Sequence, residues 1–93
     1  MKVSVITVTY NSSQTIFDTI ESINNQDYKD IEHVFVDGMS NDETVKLIKL
    51  HTRRNFKLIS KKDKGVYDAM NTGINISTGK IIFILNSDDI LCD

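Results

Sequence analysis

Ile31-Glu32-His33-Val34-Phe35-Val36-Asp37-Gly38-Met39-Ser40-Asn41-Asp42-Glu43-Thr44 holds one complete unit of the pattern that decides the fold. The run from Ile31 to Val36 is rich in β-branched and aromatic residues and is predicted to be a strand. Asp37-Gly38 then marks a turn, because a short acidic side chain bonds the backbone ahead of it and glycine is free to take positive φ. Ser40 and Glu43 have the spacing of a capping box. Val45 and Ile48 behind them supply an apolar stripe, which predicts a helix. A strand that runs directly into a helix is the unit of a parallel α/β sheet rather than of a meander of hairpins.

The same alternation extends toward both termini. Val3 to Thr9 reads as a strand, Phe56 to Ile59 as a weaker one with Lys57 alternating inside it, and Lys80 to Leu85 as the most apolar of the four. The first and last read as covered on both faces. Ile16, Ile20 and Ile23 recur at helical spacing behind the candidate caps Asn11, Ser12 and Ser13. Val66, Ala69, Met70, Gly73 and Ile76 share a face of a further helix, and Gly79 punctuates the turn into the last strand. His51, Arg53 and Arg54 place positive charge at the end of the helix carrying Val45 and Ile48, where it suits the dipole. Right-handed crossovers then distribute the helices over the sheet. The expected architecture is one α/β domain over residues 1–93, with a mainly parallel sheet of about four strands and helices on both faces.

A chain of 93 residues, 40% hydrophobic and without proline, has room for one modest core and no second domain. Eleven Lys and Arg against thirteen Asp and Glu give a net charge of -2, which lacks the basic footprint of a nucleic-acid binder. No nucleic-acid partner is expected. The single cysteine, Cys92, forms neither an internal disulfide nor a thiolate cage, as suits a reducing compartment. Ser4, Thr7 and Thr9 interrupt the opening run, so it is no signal-peptide core, and no apolar run approaches the ~20 residues of a membrane helix.

In an open parallel sheet, ligands sit at the carboxyl ends of the strands. Here those ends carry Tyr10-Asn11-Ser12-Ser13, Asp37-Gly38-Met39-Ser40, Asp63-Lys64-Gly65 and Asn86-Ser87-Asp88-Asp89. Glycine is missing after the first strand, which excludes both the dinucleotide fingerprint and the triphosphate loop. A receiver-type phosphorylation domain would place its acidic pair after the first strand, not the last. Adjacent carboxylates such as Asp88 and Asp89 repel unless a cation sits beside them, and hard oxygen donors suit Mg²⁺ or Mn²⁺ with diphosphate oxygens completing the shell. Each feature also has an ordinary reading. Asp88-Asp89 alone is a solvated loop, Asp37-Gly38 a turn, Ser40 a helix cap, and Asp68 and Asn71 the wet face of a helix.

The combination is more specific. Val3 to Asn11, Gln26-Asp27-Tyr28 and Val34 to Thr44 are similar, in order and spacing, to the opening of the family 2 glycosyltransferases. Lys64-Gly65-Val66-Tyr67-Asp68-Ala69-Met70-Asn71-Thr72-Gly73, Thr78-Gly79 and Leu85-Asn86-Ser87-Asp88-Asp89 resemble the middle of the same nucleotide-binding half. The resemblance covers essentially the whole chain. It implies the Rossmann-like GT-A fold and binding of a nucleotide-diphosphate sugar, UDP-sugars favoured, with Mn²⁺ or Mg²⁺. By the same resemblance Thr9 and Asn11 line the nucleotide pocket, and Asp37 bonds the base. Lys64, Asp68 and Asn71 stand near the phosphates, ribose or sugar.

Asn86-Ser87-Asp88 falls at the family's Asp-x-Asp motif, with Asn86 as a departure for which Asp89 compensates. One of Asp88 and Asp89 is expected to bind the metal directly. The resemblance further implies that a complete enzyme continues beyond Asp93 into an acceptor-binding half with the general base, so no catalytic residue is expected here. The expected function is the donor-binding part of an inverting glycosyltransferase of surface-polysaccharide or lipopolysaccharide synthesis, acting on a glycan or lipid-linked acceptor. It would be cytoplasmic and peripheral at the inner membrane face in the full protein. A non-catalytic nucleotide-binding module and an α/β interaction domain are the alternatives. The apolar edge at Ile81 to Leu85 is expected to make the chain self-associate.

Overall fold

The computed structural model of the chain describes residues 1–88. Along the chain these form β1 (Val3–Thr9), α1 (Ile16–Asn24), β2 (Ile31–Asp37), α2 (Thr44–His51), β3 (Asn55–Ser60), α3 (Val66–Ile76) and β4 (Ile81–Ile84). The four strands make one sheet in the order β3-β2-β1-β4, and every pairing is parallel. The expected strand and helix alternation is met. No helix among the described residues is long and apolar enough to cross a membrane.

Alternation along the two central strands sorts the core onto two faces. Ile6, Val34 and Val36 pack with Ala69 of α3, flanked by Val8 and Ile76. On the opposite face Phe35 packs with Ile16 and Ile20 of α1 and Ile48 of α2, and Val5 and Ile31 pack with Ile23 and Leu85. Helices therefore cover both faces, α1 and α2 together on one and α3 alone on the other. Each fully buried isoleucine contributes about 1.5–3 kcal/mol by leaving water. Gly73 sets how closely α3 approaches the sheet, for a Cβ there would stand 2.6 Å from Cγ2 of Ile6.

All seven residues of β2 are buried, yet Glu32, His33 and Asp37 are among them. Glu32 accepts the Ser4 hydroxyl at 2.8 Å and the Thr78 N–H at 3.0 Å, and pairs with Lys57 Nζ at 3.0 Å. Burial alone would raise its pKa, but these donors and the Lys57 charge hold it down to about 2. His33 Nε2 lies 2.8 Å from Thr7 Oγ1, the ring stacks on Phe35 at 3.9 Å, and Nδ1 has no hydrogen-bond partner among the described residues.

Four local expectations are corrected. The Ser40–Glu43 capping box does not form, because Asp37 takes the Ser40 hydroxyl and Asp42 accepts the Thr44 N–H at 3.0 Å at the start of α2. No side chain caps α1; the Ser12 carbonyl accepts the N–H groups of Thr15 and Ile16 at 3.0 and 2.9 Å. Arg53 and Arg54 do not close α2. Arg54 instead donates to the Ile23 carbonyl at 3.2 Å and Arg53 pairs with Glu21 at 3.4 Å, which closes α1. The last strand is not covered on both faces: β4 lies at the sheet edge, and Ile81 to Ile84 are each 40–51% exposed, while Leu85 beyond it is buried.

Burial pushes the His33 pKa from its ordinary 6.5 down to about 3, so the folded chain refuses a proton that the unfolded chain accepts. Its contribution to stability is complete above pH 6.5 and declines as pH falls toward 3. Glu32 acts in the same direction but only below its ordinary 4.5. Between these windows, unfolding free energy from urea titrations should fall by about 1.4 kcal/mol per pH unit from pH 6.5 to 4.5. His33→Leu should flatten that slope, and equal slopes in the two proteins would remove His33 as its cause.

Candidate functional site

The carboxyl ends of all four strands open on one cleft of about 750 Å³. Its wall takes Tyr10 to Ser12 from the loop after β1, Gly38 after β2, Lys62, Asp63 and Gly65 after β3, and Asn86 to Asp88 after β4. Strand order arranges these loops in a line, with Asp63 at the β3 end, then Gly38, then Tyr10 and Asn11, and Asp88 at the β4 end. Three interstrand spacings make that line roughly 14 Å long.

Asp37 lies beneath the lining, between Thr9 and Gly38, and is completely buried. Its Oδ1 accepts the hydroxyls of Thr9 and Ser40, both at 2.6 Å, and its Oδ2 accepts the Ser40 N–H at 2.8 Å and the Ser60 hydroxyl at 2.9 Å. Burial opposes ionisation, but the four donors prevail and hold the carboxyl below its usual range. A carboxylate offers about four acceptor positions, so protein donors fill them all. The expected direct base contact by Asp37 therefore has no free lone pair; this carboxylate ties together the ends of β1, β2 and β3.

The loop after β1 is fixed from the same side. Asn11 adopts φ 47°, a left-handed conformation that asparagine tolerates better than most residues. Its N–H donates to the Ser40 hydroxyl at 2.8 Å, and its Oδ1 accepts the Asn41 N–H at 2.7 Å. Ser12 donates its N–H to Thr44 Oγ1 at 2.8 Å and its hydroxyl to Ser87 Oγ at 2.9 Å. The Ser87 carbonyl also accepts the Thr19 hydroxyl at 2.9 Å. These bonds anchor the turn after β4 and leave Asp88 exposed at the mouth of the cleft.

Of the residues expected at the site, Thr9, Asn11, Asn86 and Asp88 line the cleft. Lys64, Asp68 and Asn71 stand outside its lining. Asp68 accepts the Lys64 N–H at 3.0 Å and so fixes the entry to α3, while Asn71 is exposed further along that helix. Asp89 and Cys92 lie outside the described residues. Among the described residues no three His, Cys, Asp or Glu side chains cluster as a metal site. The polar strand ends already contain Tyr10, Asp63 and Ser87, to which the sequence gives no role, and Ser12, which it reads only as a candidate helix cap. Lys62 lies in the wall without any distinguishing pattern around it.

Comparisons with known proteins identify the family and the fold. The model of glycosyl transferase family 2 matches residues 4–92. The Escherichia coli UDP-Glc:alpha-D-GlcNAc-diphosphoundecaprenol beta-1,3-glucosyltransferase WfaP is 38% identical over 88 residues, which is 94% of this chain and 35% of that protein. The poly(ribitol-phosphate) beta-N-acetylglucosaminyltransferase TarP of Staphylococcus aureus is 38% identical over 95 residues, 97% of this chain and 29% of that one. The chain thus spans about a third of the length of these relatives. Among solved structures, S. aureus TarS in complex with UDP-GlcNAc superposes with a TM-score of 0.89 at 30% identity, covering 97% of this chain and 27% of TarS. The mannosyltransferase PcManGT of Pyrobaculum calidifontis, in complex with GDP-Man and Mn²⁺, gives 0.89 at 29% identity, covering 99% of this chain and 29% of the other. The fold is that of the GT-A glycosyltransferases, and the chain belongs to glycosyl transferase family 2.

Proposed function

We propose that the chain binds the nucleotide-diphosphate part of a sugar donor in the strand-end cleft, as the donor-binding part of an inverting glycosyltransferase. The observation that carries this reading is the cleft itself: it crosses four strand ends, is about as long as a nucleoside diphosphate, and has Asp88 exposed at one end. The names of the relatives support a glycan or lipid-linked acceptor in surface-polysaccharide synthesis, and on this reading the whole enzyme acts from the cytoplasm at the inner membrane face. We assign no catalytic base among the described residues.

The donor set at the β4 end fits a hard divalent cation. Asp88 offers a carboxylate and Asn86 an amide oxygen, and Mg²⁺ or Mn²⁺ is commonly held by one or two carboxylates together with ligand phosphate oxygens and water. Asp89 is the second candidate carboxylate. When bound, such an ion would neutralise charge developing on the departing diphosphate. The chain's own part is positional: Ser12 and Thr19 hold the turn carrying Asp88, and Asp37 holds the loops that form the floor. Lys64 and Asp68 would influence the donor through the entry to α3, and Asn71 from the exposed face of the helix behind it.

Calorimetry of the full chain with UDP, GDP and UDP-GlcNAc, each with and without Mn²⁺, tests the reading. Binding strengthened by Mn²⁺ is expected, and a folded sample that binds no nucleotide overturns it. Asp88→Asn should chiefly remove the metal's enhancement. Asp37→Ala should weaken binding with or without metal and cost about 1–3 kcal/mol of stability, because it removes the acceptor of four hydrogen bonds and strands the buried Thr9 hydroxyl. Identical losses from the two substitutions would contradict their separate roles.

We also infer that β4 recruits a second copy of the chain. Among the described residues β4 pairs only with β1, so one edge of its backbone is unpaired, and apolar side chains stand open on both of its faces. Light scattering over a concentration series should show mass rising toward a dimer. A strictly monomeric chain at all concentrations overturns this.

A further inference from the structure

The structure assigns Thr19 of α1 as a positioning residue that sets how tightly the cleft holds a divalent cation, although it stands outside the lining of the cleft. This rests on the reading above that Asp88 carries the cation. α1 buries four of its residues, and Thr19 is the one among them that is not an isoleucine. Threonine is a poorer helix former than alanine or leucine, and a hydroxyl adds nothing to an apolar stripe. Its use lies outside the helix: the hydroxyl donates to the Ser87 carbonyl at 2.9 Å, 68 residues further along the chain.

That carbonyl belongs to the peptide unit joining Ser87 to Asp88. A peptide unit is planar, so a bond on this oxygen orients the plane from which Asp88 departs. The side chain of Ser87 is held independently, because its Oγ accepts the Ser12 hydroxyl at 2.9 Å, and Ser12 is tied through its N–H to Thr44 Oγ1 at 2.8 Å. One grip acts on the side chain and the other on the carbonyl. The rotation between them, about the Cα–C bond of Ser87, is the one that would swing Asp88 toward or away from the cleft. Upstream, the Leu85 N–H donates to the Ile6 carbonyl at 2.8 Å and Leu85 is buried with Val5 and Ile23. Only Asn86 separates these two fixed points.

A carboxylate already in place binds a cation more tightly than one that has to be ordered at the moment of binding. Groups that orient a metal ligand without touching the metal change its affinity by about 10–100-fold when they are removed. Lys62 and Asp63 line the cleft beyond β3, at the opposite edge of the sheet from β4. Loss of the Thr19 bond therefore falls on the cation more than on the nucleotide itself.

The test measures binding of UDP or GDP, whichever the wild type holds more tightly, to the full chain by calorimetry over a series of Mn²⁺ concentrations. It reads the concentration that half-saturates the gain in affinity. Thr19→Val removes the hydroxyl and nearly keeps the shape; it should raise this midpoint by about tenfold or more, with a smaller change in metal-free affinity. Thr19→Ser, which keeps the hydroxyl, should restore the wild-type midpoint. A merely structural role would lower the folded fraction and scale all affinities together, leaving the midpoint in place. Where the valine variant does not fold, Thr19→Ala, which helix propensity favours, carries the same expectation. An unmoved midpoint in a folded variant, with the Mn²⁺ effect abolished by Asp88→Asn, overturns the assignment and leaves the cation reading standing. A wild type whose nucleotide binding Mn²⁺ does not strengthen, or a gain that survives Asp88→Asn, overturns both.

Discussion

Everything in this fold depends on how a completely buried strand accommodates its polar side chains. β2 contributes Glu32, His33 and Asp37 to the interior, and β1 answers each with a hydroxyl: Ser4 at 2.8 Å, Thr7 at 2.8 Å and Thr9 at 2.6 Å. Ser4 stands opposite Glu32 and Thr9 opposite Asp37 in the parallel register, with Thr7 diagonal to His33. Apolar residues alone would specify this register weakly, because both faces of the central strands are covered and Val, Ile and Phe suit either. A slip of one residue would send each polar group to the opposite face. Every group stranded in that way would cost about 1–3 kcal/mol. The hydroxyls of β1 thus act as the register key.

The same device has different consequences at the two ends of the sheet. At the amino end Glu32 recruits a charge, Lys57, and also the Thr78 N–H that follows α3, so the network locks the exit of that helix. At the carboxyl end Asp37 recruits only hydroxyls and one backbone N–H. Its charge is spread over neutral donors, and those donors belong to β1, β3 and the loop into α2. The floor of the cleft is therefore rigid because a register-setting residue happens to lie where the strands end.

Strand and helix order was legible because it rests on local periodicity. β1 starts and stops where the run Val3 to Thr9 does, and the stripe Ile16, Ile20 and Ile23 is buried throughout. What sequence could not show depends on which distant group reaches a side chain first. Ser40 and Glu43 have capping-box spacing, but the Asp37 carboxylate claims the Ser40 hydroxyl, and a neighbouring aspartate starts α2 instead. Arg54 follows α2 in sequence yet packs against the end of α1. Gly38 reads as a turn glycine from the dipeptide, whereas its lack of a side chain matters for the approach of Asp63 and Tyr10. The apolar run at β4 correctly marks a strand, but hydrophobicity cannot say whether an element lies at hand to cover it.

The charges around the cleft also explain why a chain of net charge -2 can be suited to an anionic ligand. Asp63 and Asp88 lie in its wall and Asp37 beneath it, against the single described lysine in the lining, Lys62. A diphosphate placed at random would meet repulsion from each carboxylate. The N-terminal end of α1 reaches the wall at Thr15, beside the turn carrying Asp88, and contributes the positive end of its dipole there. The N-terminal end of α3 reaches the wall at Gly65 and Val66, beside Asp63 and Lys62, so positive potential stands at both ends of the row. On the nucleotide-binding reading, the two helix ends and Lys62 offset these carboxylates, and Asp88 at the β4 end is the one beside which a cation would be held.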